Sequence, residues 1–242
     1  MPTTVVSPPR SATVASPPFQ PSSPSTGGLK LLIGGLLAVW LAAVVLLGTT
    51  GALATRAGTP PLPIGIGFAA PIALFFAALW LSRPFRELVL TADLRLITGI
   101  QAWRFLGLIF LALYALKLLP GEFALPAGIG DVAIGLTAPW IVAALTRQPS
   151  FAASIRFRVW NVLGILDLVF AVGTGALGAV LATGAPGEIT TVAMSQLPLA
   201  LVPIYLVPIF LMLHVSALLQ AQAQRVALNQ TIVSPTTRTP AH

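Results

Sequence analysis

Residues 31–50 read LLIGGLLAVWLAAVVLLGTT, twenty positions without one charged side chain. An α-helix rises 1.5 Å per residue, so this run reaches about 30 Å, the thickness of the hydrocarbon core of a bilayer. Lipid offers no hydrogen bonds to a backbone, and a helix satisfies its own. The stretch therefore predicts a membrane-crossing helix. Ala52-Leu53-Ala54 follows it and looks like the small-residue site of a cleaved secretory signal. The preceding tail is too long for a signal n-region and the run too long for an h-region, so a retained first span is the reading; cleavage would leave five.

Outward from this run the pattern repeats at 64–81, 100–119, 127–145, 159–182 and 192–219, which predicts an all-α, polytopic bundle of about six spans. Composition agrees. Of 242 residues 56% are hydrophobic and 8% charged, against about 25% charged in a soluble domain. Residues 1–28 hold seven prolines and many Ser and Thr, and read as a disordered tail. The spans occupy 29–220, and 221–242 reads as a second flexible tail. Segment 84–97 places Phe85, Leu88, Val89, Ala92 and Leu96 on one face and reads either as an interfacial helix or as a cytoplasmic loop helix packed on the bundle. In 192–219, Pro198, Pro203 and Pro208 each lack a backbone donor, so a kink is expected there.

The net charge of +7 does not point to nucleic acid, because the basic residues lie singly between apolar runs and not in a stripe. It fits topology. Ten Lys and Arg fall in the two tails and the second and fourth loops, and two, Arg56 and Lys117, fall on the other side. Basic loops stay in the cytoplasm, so both termini are expected inside the cell membrane. With no cysteine, disulfides and thiolate metal sites are excluded. No metal or cofactor is expected. His214 has only His242 as a companion for a bis-histidine haem. The expected partners are the lipid bilayer and other membrane subunits or a second copy.

An ionisable group at the bilayer centre costs roughly 2.5–3.5 kcal/mol on insertion scales, so Arg104, Asp131, Asp167 and His214 each mark a candidate binding or proton-path site. Arg104 and Asp167 enter from the same side at depths differing by roughly 6 Å, within the reach of an arginine. With Gln101, Asn161 and His214 they form an expected polar cluster in the cytoplasmic half, read either as a proton or solute path or as an interhelical fastener. Gly128-Ile129-Gly130-Asp131 matches the GxGD signature of intramembrane aspartyl proteases. Such an enzyme needs two carboxylates sharing a proton. Starting a helix at Pro126 puts Asp131 in its first turns, an axial distance of roughly 12 Å from Asp167. That spacing opposes a dyad, and no catalytic residue is assigned. In the fifth span Gly164, Ala171, Gly175, Gly178 and Ala182 form a small-residue face that predicts a central helix.

Across residues 101 to about 214 the motifs Gln101-x-x-Arg104-x-x-Gly107, Leu119-Pro120-x-x-Phe123-Ala124, Gly128-x-Gly130-Asp131 and Trp160-Asn161-x-x-Gly164-x-x-Asp167 are followed by a proline-spaced span ending in His214. This half of the chain resembles a group of uncharacterised bacterial multi-pass membrane proteins. The resemblance implies a membrane bundle and carries no catalytic residue. The resulting expectation is a transporter-like bundle, with a structural or accessory subunit as the alternative and an intramembrane protease a distant third.

Overall fold

The computed structural model describes residues 26–233, so most of the first tail and the end of the second lie outside the described residues. Within them the protein is a helical bundle without strands. Six helical stretches are long and apolar enough to cross a membrane. The elements are α1 (Thr26–Thr49), α2 (Leu62–Leu81), α3 (Arg83–Thr91), α4 (Leu94–Ile100), α5 (Leu108–Ala115), α6 (Gly121–Arg147), α7 (Ile155–Leu181) and α8 (Val207–Val233). Short 3₁₀ turns lie at Pro149–Ala153 and Thr191–Ser195.

The helix expected at 84–97 is two helices. Ser82 caps α3, its Oγ accepting from the Phe85 N–H at 3.3 Å. Asp93 then takes the Arg95 N–H at 2.8 Å and starts a new helix, because an Asp side chain competes for backbone donors. The break shifts the buried face from Leu96 to Ile97. Gln220 of α8 holds the end of α3, donating from Nε2 to the carbonyls of Val89 at 2.8 Å and Ala92 at 3.0 Å.

The third span accordingly runs Leu94–Ala115, six residues earlier than the apolar run suggests. It is α4, a 3₁₀ segment at Gln101–Gly107, and α5. It ends in a Schellman turn in which Leu118 N–H reaches Leu113 O at 2.8 Å and Lys117 N–H reaches Tyr114 O at 2.9 Å. Lys117 takes the left-handed position, with φ 57°.

The fourth span starts at Gly121, not at Pro126. Pro120 caps it with extended backbone, and its carbonyl accepts from Ala124 N–H at 2.9 Å. Pro126 therefore lies inside α6. The sixth span also differs from its apolar run, beginning at Val202. Thr191–Ser195 packs back onto α7, with Thr191 Oγ1 donating to Gly175 O at 2.7 Å, and Gln196 is extended. Val202–Leu206 is one π turn closed by Val207 N–H to Val202 O. Pro208 has no N–H for the carbonyl four residues before it, and the ladder slips by one residue to compensate. The helix then continues to Val233, well beyond 220.

The small face of α7 packs on its neighbours as expected, Gly175 against Phe123 and Gly178 against Thr191. The most buried span, however, is α8, because it meets α2, α3, α4 and α7 at once. Two apolar clusters close the bundle. One joins Ile97, Leu145, Phe157 and Ala217; the other joins Phe110, Leu119, Phe123 and Met194 near the opposite ends of these helices. Helix α1 leans on the Val202–Leu206 turn through Trp40 on Tyr205, ring centres 4.8 Å apart.

Candidate functional site

A 3₁₀ helix has three residues per turn, so positions three apart lie in line. Gln101, Arg104 and Gly107 are the buried residues of that segment. The geometry points Arg104 straight into the bundle, its side chain 0% exposed.

Four of its five N–H groups are engaged. Nε–H donates to Asp131 Oδ1 at 2.7 Å, and Nη2–H donates to Asp167 Oδ2. Nη1 donates to the Gly164 carbonyl at 3.3 Å and to His214 Nε2 at 3.2 Å. Arginine can only donate, so Nε2 of His214 carries the lone pair and Nδ1 the proton. Nδ1–H then donates to Asn161 Oδ1 at 2.9 Å, and Asn161 Nδ2 donates to Phe157 O at 2.9 Å. One chain of hydrogen bonds thus runs from the two aspartates through Arg104 and His214 to the first turn of α7. The Trp160 ring meets His214 edge-on at 5.3 Å, and its Nε1–H is held by Thr137 Oγ1 at 2.9 Å.

Glycines make the room. A Cβ on Gly107 would strike Asp131 Cβ, one on Gly130 would strike the Asp167 carboxylate, and one on Gly164 would strike the His214 ring. Gly135 rests directly on the Arg104–Phe105 peptide.

Five of the six candidate residues from the sequence meet here: Arg104, Asp131, Asn161, Asp167 and His214. Gln101 stands apart, its Nε2–H on the Phe210 carbonyl at 3.1 Å and its Oε1 buried without a partner. The expected 12 Å separation of Asp131 from Asp167 is overturned. Because α6 begins at Gly121, Asp131 is its eleventh residue and not a first-turn residue. The 3₁₀ segment also climbs about 2.0 Å per residue and carries Arg104 deeper. The centre therefore lies at mid-helix, with Asp167 the thirteenth of 27 residues in α7. Sequence reasoning missed the Gly164 carbonyl and Trp160 as participants. The 157, 161, 164 spacing, which puts three contributors on one face of α7, was the available signal.

Two cavities meet at Asp131. A smaller one, about 80 Å³, reaches from Thr55, Thr191 and Ser195 to Asp131. A larger one, about 340 Å³, lies between the third span and the Pro198–Phe210 stretch. Among the described residues Asp131 is the only acidic one lining either. Electrostatically, one guanidinium faces two carboxylates, so one negative charge is unmatched when both are ionised. An aspartic dyad shares one proton between its carboxylates; here Arg104 N–H groups hold both instead.

No curated protein and no solved structure matches the chain. The family model described as a domain of unknown function, DUF8737, matches residues 61–221, from just before α2 into α8, and so takes in the whole hydrogen-bonded centre. The chain belongs to this family of domains of unknown function.

Proposed function

We propose that this chain is a transporter-like, multi-pass protein of the cell membrane, with both termini cytoplasmic, that passes a proton or monovalent cation through the Arg104–Asp131–Asp167 centre. The observation that carries the reading is that two carboxylates share one guanidinium and that one of them, Asp131, is reached by two cavities. Burying an unbalanced charge is costly, and a bound cation removes the cost. Arg104 keeps the aspartates in place during exchange, because it cannot lose its proton. The orientation rests on the bias of ten basic residues against two.

The test is flux in proteoliposomes. With a pH-sensitive dye inside and a potassium gradient imposed, wild-type protein dissipates the gradient and Asp131→Asn is slower by tenfold or more, an estimate of about 1.4 kcal/mol. Equal leak from wild type, Asp131→Asn and empty liposomes would sink the reading. Orientation is checked separately. The chain has no cysteine, so Thr59→Cys and Gln148→Cys give single labels, expected outside and inside respectively.

A second reading, a structural or accessory subunit fastened by this centre, is favoured by the complete burial of Arg104. Under it, Asp131→Asn lowers stability and no flux exists to lose.

A further inference from the structure

We infer that the larger cavity binds a small organic monocation, a primary ammonium on an apolar body, with its charged head on Asp131. This rests on the proposal that the centre holds a cation, and it narrows that cation to an organic one.

Charge selects the head. Arg104 has no exposed side-chain surface and four of its five N–H groups are spent on protein acceptors, so an anionic ligand finds no exposed cation there. Asp131 is different. Its Oδ1 accepts from Arg104, its Oδ2 has no hydrogen-bond partner among the described residues, and its side chain is 15% exposed. An ammonium on Oδ2 balances the second carboxylate and gains a charge-assisted bond in a low-dielectric site.

The walls select the body. Apart from Arg104 and Asp131, the lining is apolar, with Ile100, Leu106, Leu199, Leu206 and Phe210 among it. At about 340 Å³ it falls at the small end of ligand pockets, which run roughly 300–1,000 Å³. A one-ring amine fits and a phospholipid does not. Depth points the same way: Asp131 is ten residues from the start of α6, roughly 15 Å along the helix and far from headgroups. Access is lateral. Helix α4 packs on both α6 and α8, whereas the 3₁₀ segment and α5 pack chiefly on α6, and the cavity lies between them and the Pro198–Phe210 stretch. Two lining residues, Trp103 and Ile109, are 67% and 50% exposed, so the cavity reaches the lipid-facing surface.

The test uses the full chain in lipid nanodiscs, phenethylammonium as the probe and neutral phenethyl alcohol as the partition control. Expected are saturable binding of the amine by wild type, none of the alcohol, and a loss of about tenfold or more in Asp131→Asn. Ile109→Trp, a half-exposed position that lines only the larger cavity, loses amine binding to the same extent. Equal binding of amine and alcohol overturns the inference, and so does undiminished binding in Asp131→Asn. Where Asp131→Asn does not fold, Ile109→Trp and the alcohol decide. Ion flux without amine binding overturns the inference and leaves the transport reading standing; amine binding without flux overturns transport and leaves the inference standing.

Discussion

Arg104 Nε–H donates to Asp131 Oδ1 at 2.7 Å, joining the third span to the fourth across 27 residues of sequence. The same guanidinium reaches Asp167 of the fifth span and His214 of the sixth. Four spans therefore depend on one side chain.

Arg104→Ala leaves two carboxylates buried without their cation. Breaking such a pair costs about 3–5 kcal/mol. The triple variant Arg104→Met, Asp131→Asn, Asp167→Asn removes every charge and recovers most of that loss. Reversible unfolding in mixed micelles measures both, and additive single effects would show that the three residues do not act together.

Gly135 and Gly173 give opposite responses to alanine. A Cβ at Gly135 meets the backbone of Arg104 at 2.9 Å, and nothing there can rotate away. Overpacking of that kind costs about 1–3 kcal/mol. Gly173 faces open space, so Gly173→Ala gains about 0.5–1 kcal/mol from helix propensity. The unfolding midpoints should move in opposite directions.

Lys117 holds a backbone conformation that L-residues resist, at φ 57°. Lys117→Gly relieves about 1 kcal/mol of it. Lys117→Ala keeps the Cβ and should leave stability unchanged, which separates strain from loss of charge.

Glu188, in the hairpin after α7, caps the turn. Its carboxylate accepts from the N–H groups of Thr183 at 2.9 Å, Gly184 at 2.7 Å and Ala185 at 3.3 Å. The Thr183 backbone bond, first among these, holds its pKa below the ordinary 4.5. A depressed carboxylate pKa means that the cap is complete above pH 4.5 and is lost as pH falls through the lower folded value. A side-chain carbon NMR titration should find that midpoint. Glu188→Gln should speed amide exchange at Thr183, Gly184 and Ala185, and unchanged exchange would remove the cap from the account.

Much of this architecture is readable in residues 26–233 because each span carries its own evidence. A run such as 31–50 is apolar whatever surrounds it, and the preference of apolar side chains for hydrocarbon adds position by position. The prolines at 203 and 208 announced a distorted sixth span on the same local grounds. The Arg104–Asp167 pairing was legible too, since an arginine at that depth requires a carboxylate nearby.

The place of Asp131 beside Arg104 and Asp167 was not legible, and neither were the helix limits that fix it. Apolarity marks which residues suit lipid, not where backbone hydrogen bonds begin. Pro120 as a cap, and the 3₁₀ winding at Arg104, depend on contacts with other helices.

The chain alone thus determined the number of long apolar helices, because length and apolarity belong to each segment separately. Tertiary structure decided the composition of the charged centre. Bringing Asp131, Asp167 and His214 to one guanidinium requires Gly107, Gly130, Gly135 and Gly164 to admit close approach from four helices at once, and such mutual fit is a property of the assembled bundle.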